Sequence, residues 1–264
     1  DHDDSGGGDL TVNSGVTVSS TDHTISVTSH DFNLLGNIDS GTAATSVTVS
    51  LVATTTGVGS ITGTSCGGSN CGMTISNLEL QNIKSTGLTI GGTASGSIYV
   101  EGVTATDVAN TGTVTLSANS GSETVTFQTT ASTFNTLNVI SNGDTMVDVN
   151  LTTNGVLSID SDQDGGGAGD FKLNASATID TNDNHFFIST NDLDLAGSVA
   201  AGTGTVTILV SDAGPIILDG TLSTSSAMSS SALCVSTCGL SINGLEIQKI
   251  SAGNLIIGDS LHAR

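Results

Sequence analysis

The stretch CGMTISNLELQNIKSTGLTIGG, Cys71 to Gly92, returns as CGLSINGLEIQKISAGNLIIGD, Cys238 to Asp259, with 10 of the 22 paired positions identical. Most of the other pairs exchange like for like, as Met73 does with Leu240, Thr74 with Ser241 and Leu80 with Ile247. A phrase repeated 167 residues further on marks a chain built by repetition, and internal repetition decides a fold before local propensity does. The match extends outward. GDLTVNSGVTVSSTDHTISV from Gly8 corresponds to GDFKLNASATIDTNDNHFFI from Gly169, and SHDFNLLG from Ser29 to TNDLDLAG from Thr190. SVTVSL from Ser46 corresponds to TVTILV from Thr205, and SITGT from Ser60 to ILDGT from Ile217. The order never changes and the separation drifts only between 157 and 167 residues. Residues 1–161 therefore read as one complete unit, and 162–264 as a partial second unit continuing it.

Within each unit runs a finer rhythm. Short apolar alternations begin near Leu10, Phe32, Ile61, Leu88, Val114, Leu137 and Leu157, and again at Phe171 where the second unit opens. That makes roughly seven steps per unit of roughly 23 residues each, a length in the solenoid range. Each step reads as two or three strands, such as LTV, VTV and ISV, separated by Gly, Asn, Asp and Ser corners. Alternation places Val12, Val18 and Val27 inward and the intervening Thr and Ser outward. Even NLELQNIK, Asn77 to Lys84, alternates Leu78 and Leu80 against Glu79 and Gln81, which predicts a strand. A sandwich or barrel also consists of many short strands. The 20-odd-residue period, the single Pro and the unit-to-unit match favour a right-handed parallel β-helix instead.

Composition agrees. The chain has 34 Gly, 1 Pro, no Trp and only 3% aromatic residues, so its core must come from Val, Ile and Leu, which suit pleated strands. With 25 acids against 4 basic residues its net charge is -21. A nucleic-acid partner needs a basic stripe and an anionic membrane needs basic clusters; neither exists here. The acidity suits a surface kept soluble at high ionic strength, where salt screens self-repulsion. No apolar run reaches the length of a membrane span.

LELQNIKSTGLTIGGTASGSIYVEGV and LEIQKISAGNLIIGD resemble the units of very large secreted β-repeat proteins, among them filamentous-haemagglutinin-like exoproteins. The phrase that carries the likeness is Ile83, Gly87 to Gly91, and Gly96 to Val100. The resemblance implies an extracellular, elongated filament or adhesin shaft whose partners are further repeat units or copies, stacked end to end. The cysteines depart from the usual cysteine-poor bacterial members, which leaves algal or protist surface proteins equally in view.

Individual sites read as follows. Cys66/Cys71 and Cys234/Cys238 are close pairs with no second Cys/His pair beside them, which favours small disulfide loops over zinc. Asp160, Asp162 and Asp164, followed by Gly165, copy the start of a calcium loop, but Phe171 stands where a bidentate Glu is needed. Calcium is thus the one cofactor the sequence suggests, the alternative being a solvated acidic loop between units. Asn150 and Asn174 open N-glycosylation triplets, usable in a eukaryotic source. Glu79/Gln81 and Glu246/Gln248 occupy the same places in both units and suggest a lateral contact row. His23 beside Asp22, and His185 near Asp183, are the nearest approach to a catalytic pair. Gly63 to Gly67 spells a nucleophile elbow around Ser65 with no helix predicted after it. With no Arg/Lys cluster or aromatic platform for an acidic glycan, the sequence points away from an enzyme. Ice or ligand binding by a flat Thr face is the stronger alternative to a structural shaft.

Overall fold

A computed structural model describes residues 8–49, 54–61, 65–212, 216–219 and 240–258. The described chain is all-β apart from two short helices, Asn77–Gln81 and Gly244–Ile247. Every ladder between its strands is parallel, as the pairings of Leu10–Val12 with Phe32–Leu34 and of Thr205–Val210 with Asn254–Ile257 illustrate. Through most of the molecule each strand pairs with the third one along the chain, so that three faces grow together. One face carries Ser95–Glu101, Val125–Phe127, Thr145–Val147, Phe171–Leu173 and Leu193–Leu195 in that order. A second carries Ser132–Phe134, Leu151–Thr153, Thr178–Asp180, Ser198–Ala200 and Ile250–Ser251. The third and longest runs from Ile25–Ser29 to Asn254–Ile257. The arrangement is compatible with a β-solenoid.

Side-chain alternation fixes what the third face buries. Val27, Val47, Ile90, Leu116, Val139, Ile159, Ile188, Ile208 and Ile257 lie in one register column. Beside it runs Ile25, Thr45, Leu88, Val114, Leu137, Leu157, Phe186, Val206 and Leu255. From Leu88 to Val206 every member is at most 1% exposed. Each full aliphatic burial is worth about 1.5–3 kcal/mol relative to exposure. Four of the six phenylalanines pack between faces in edge-to-face pairs, Phe127 with Phe134 at 6.4 Å and Phe171 with Phe186 at 6.0 Å.

Two features depart from a uniform rhythm. Thr54–Gly59 pairs with both Met73–Ile75 and Ser95–Glu101, so it lies between them although it precedes both. The chain overshoots by one rung, turns through the Cys66 loop and comes back to lay Met73–Ile75 beside Phe32–Leu34. Ile217–Asp219 pairs in parallel with Ser241–Asn243, as Thr54–Gly59 does with Met73–Ile75. Second, Asn77–Gln81 is a helical turn and not a strand. Ser76 and Glu79 form a reciprocal capping box that satisfies the first free N–H groups. Leu80 is then buried, while Leu78, expected inward, is 71% exposed. Val18, also expected inward, is 42% exposed; among the described residues Thr17–Ser19 pairs on one side only, with Asn37–Asp39.

Glycines serve where rungs pass closely. At Gly91 φ is +92°, and a Cβ there would stand 2.2 Å from the Ser117 carbonyl oxygen. Its counterpart Gly258 has φ +77°.

Candidate functional site

The repeated phrase marks a junction between rungs that is tied by carboxylates. Glu79 accepts through Oε2 from the Ser76 N–H and hydroxyl, each at 2.8 Å, and through Oε1 from the N–H of Leu34 at 3.0 Å. Glu246 repeats this, with Asn243 N–H at 2.8 Å and Leu195 N–H at 3.4 Å. Asp31 accepts from the Thr74 N–H at 3.0 Å, and Asp192 from the Ser241 N–H at 3.2 Å. A third duplicated tie joins corners. Asp22 accepts from Thr42 N–H at 2.7 Å and Asp183 from Thr203 N–H at 2.8 Å, both acids holding left-handed backbone (φ +57° and +66°). These ties reach 20 to 51 residues along the chain and satisfy backbone donors that the ladder leaves over.

Electrostatics differ among these ties. The Thr42 N–H holds the exposed Asp22 carboxyl below its ordinary value. Burial pushes Glu246 up to about 7, against the N–H groups of Asn243 and Leu195 and with Asp192 and Asp194 adding repulsion.

The suggested lateral row is therefore differently disposed from the sequence reading. Glu79 and Glu246 are engaged inside the molecule. Gln81 donates to Asp107 at 2.7 Å, and Gln248 to the carbonyl of Gly244 at 3.0 Å. Leu78 and Leu245, 71% and 52% exposed, are the side chains that this junction presents outward in both units.

Cys66 and Cys71 are joined in a disulfide, with Cα atoms 5.1 Å apart. It closes the turn at the overshoot, and the turn is pinned to the sheet. Gln128 donates to the Ser65 carbonyl and, at 2.8 Å, to Glu101, which also accepts from the Thr129 hydroxyl at 3.0 Å. Glu101 is 2% exposed, and its Oε1 accepts both bonds. Cys234 and Cys238 lie outside the described residues, as do 63 and 64 of the Gly63 to Gly67 pattern; the residues after Ser65 form turns, as expected where no helix was predicted.

In the acidic stretch the three aspartates face different partners. Asp162 is 1% exposed and accepts from Gly167 N–H at 2.9 Å and the Ser211 hydroxyl at 2.7 Å. Asp164 caps its own turn through Gly166 N–H at 3.1 Å. Burial raises the Asp160 carboxyl, opposed by the Ser189 hydroxyl and assisted by Asp162. Among the described residues no three His, Cys, Asp or Glu side chains are grouped to hold a metal ion. Here the carboxylates organise a glycine loop.

Asn150 and Asn174 are both exposed; Asn150 also receives Thr178 N–H at 2.9 Å. His185 lies against Phe187 with ring centres 6.0 Å apart, and His23 bonds the Thr21 carbonyl. Their neighbouring acids Asp183 and Asp22 are the corner ties, so neither His/Asp pair is assembled. The aligned acids were visible in sequence as SHDF/TNDL and TDHT/NDNH, but not their bonds to backbone. No described helix is long and apolar enough to cross a membrane. No family model, curated protein or solved structure matches the chain.

Proposed function

We propose that this chain is a structural segment of a long extracellular β-solenoid, the shaft of a surface filament, hair or adhesin. The observation that carries the reading is the pair of nine-rung columns on the third face, which run unbroken through both units. In this reading the three faces close into coils, right-handed as parallel crossovers nearly always are. Counted on the third face, one unit then holds six coils, and the first face carries one inserted strand, Thr54–Gly59, where the sequence suggested roughly seven coils. Its job is mechanical: continuous parallel hydrogen bonds and an aliphatic core give length and stiffness, and carboxylate ties bond neighbouring rungs at corresponding places within each unit. The disulfide suits an oxidising compartment, and the likeness to secreted β-repeat exoproteins points the same way.

The outward column of the third face reads Ser26, Ser46, Thr89, Thr115, Asn138, Ser158, Phe187 and Thr207. This mixture lacks the regular Thr pairs of an ice-matching surface, which favours the shaft over the binding alternative. Electron microscopy of the native particle tests the reading. We expect a thin fibre with an axial repeat of one unit, about 29 Å for six rungs at ~4.8 Å each. Compact particles without axial repeat would overturn it.

A further inference from the structure

The chain holds two N-x-S/T triplets, Asn150 to Thr152 and Asn174 to Ser176, and the fold brings both to one place. Asn150 leads into Leu151–Thr153 on the second face, and Asn174 follows Phe171–Leu173 on the first. Thr145–Val147 pairs with Phe171–Leu173, and Leu151–Thr153 with Thr178–Asp180. The two asparagines therefore stand on neighbouring rungs, at the corner where the first face turns into the second, one on each side of the joint between units. Asn13, the first-unit counterpart of Asn174, is followed by Ser14 and Gly15 and opens no triplet.

Each side chain is engaged at one atom and open at the other. Asn150 accepts the Thr178 N–H through Oδ1 at 2.9 Å. Asn174 accepts through Oδ1 from the Ser176 N–H at 3.4 Å and from the Ser176 hydroxyl at 3.5 Å. Neither Nδ2 bonds another described residue. Both asparagines are exposed, and each has a small exposed neighbour on an adjoining rung. For Asn150 this is Ala131, next to Ser132 opposite Leu151; for Asn174 it is Ala196, next to Leu195 opposite Leu173. A bulky group on either Nδ2 thus projects past an alanine into solvent.

We propose that Asn150 and Asn174 carry a pair of N-linked glycans on this corner. The donor is an oligosaccharide held on a lipid pyrophosphate, as in a eukaryotic secretory compartment. The bond from the sugar C1 to the pyrophosphate oxygen breaks, the C1–Nδ2 bond forms, and Nδ2 gives up one proton as the lipid pyrophosphate leaves. Oδ1 remains a carbonyl oxygen, so the bond from Thr178 survives the transfer. The Cys66–Cys71 disulfide suits the same oxidising compartment. The inference rests on the extracellular part of the shaft reading. In the shaft, glycans that straddle a joint keep this corner in water and leave side-by-side packing to the other surfaces.

The test releases N-glycans enzymatically from the native protein in heavy-oxygen water and reads both peptides by mass spectrometry. Both asparagines should be converted to labelled aspartate. The same digestion is applied to the full chain secreted from cultured eukaryotic cells, where variants can be compared. Thr152→Ala and Ser176→Ala should each lose one glycan, and the double substitution both, with third-face amide protection as in wild type. Asn150→Gln and Asn174→Gln should give the same losses if an alanine variant proves unfolded. A secreted chain bare at either asparagine, or glycans untouched by the substitutions, would overturn the paired corner and leave the shaft reading standing. A native protein bare at either, beside a secreted chain that carries both, would overturn the proposal too; the axial repeat in microscopy then decides the shaft reading separately.

Discussion

At the scale of single residues, the question posed by so acidic a chain is what its carboxylates do. Asp22, Asp31 and Glu79, with their counterparts Asp183, Asp192 and Glu246, bond backbone N–H groups of another turn. A buried donor left without an acceptor costs roughly 1–3 kcal/mol, so these acids are parts of the framework as well as of the charged surface. Glu246 yields a prediction. Its folded-state value, about 7, lies above its ordinary 4.5, so the stability linked to its protonated form is complete below 4.5 and is lost as pH rises through 7. With each tenfold change in proton affinity worth about 1.4 kcal/mol, the rise from 4.5 to about 7 amounts to about 3.5 kcal/mol in full, and solvent screening of the carboxyl reduces the loss at the last rung to roughly 2–3 kcal/mol. Exchange protection of the Asn254–Ile257 amides, corrected for intrinsic rates, should fall accordingly. In Glu246→Gln, which keeps an acceptor and cannot ionise, the profile should be flat. Parallel profiles in the two proteins would contradict the assignment. Asp31 and Asp192 were legible as aligned acids in the two units. Their role was not, because a carboxylate aimed at a neighbouring backbone and one aimed at water read the same in sequence.

Among the elements, strands were the legible part: alternation of Val, Ile and Leu located nearly every rung of the third face. The overshoot was not, since Thr54–Gly59 and Met73–Ile75 have ordinary strand sequences and only pairing reveals their exchanged order. The helical turn at Asn77–Gln81 was misread because Leu78 and Leu80 are spaced as in a strand; the deciding signal was Ser76 followed three residues later by Glu79. The disulfide belongs to this scale as well. Closing so short a loop stabilises by roughly 2 kcal/mol on the chain-entropy account, and the closure acts on the turn that brings the chain back. We expect Cys66→Ser/Cys71→Ser to make the segment near Ser65 to Cys71 susceptible to limited proteolysis while third-face amides keep their protection. Collapse of that protection would mean that the loop holds the stack together and does not merely trim its surface.

Taken whole, the molecule is defined by translation: two units whose strands, ties and left-handed glycines recur in order, over columns that pass through the joint without a break. The repeat made this legible in the sequence alone, since a chain that says the same thing twice must bury the second saying on the first. What lay beyond sequence was the count of rungs, because only the pairing of Thr54–Gly59 with both Met73–Ile75 and Ser95–Glu101 shows it to be an extra strand. The central claim is that distance along the molecule follows rung number and not sequence separation. Spin labels test it most directly, in a chain with Cys234→Ser and Cys238→Ser so that only the introduced cysteines react. One label replaces Ser26, and the second replaces Ser158, Thr207 or Ile256 in turn, all in one outward column. Five, seven and eight rungs at ~4.8 Å predict separations of about 24, 34 and 38 Å. Distances that rise in those steps support the stack; a Ser26–Ile256 separation shorter than Ser26–Ser158, as face-packed sheets would give, contradicts it.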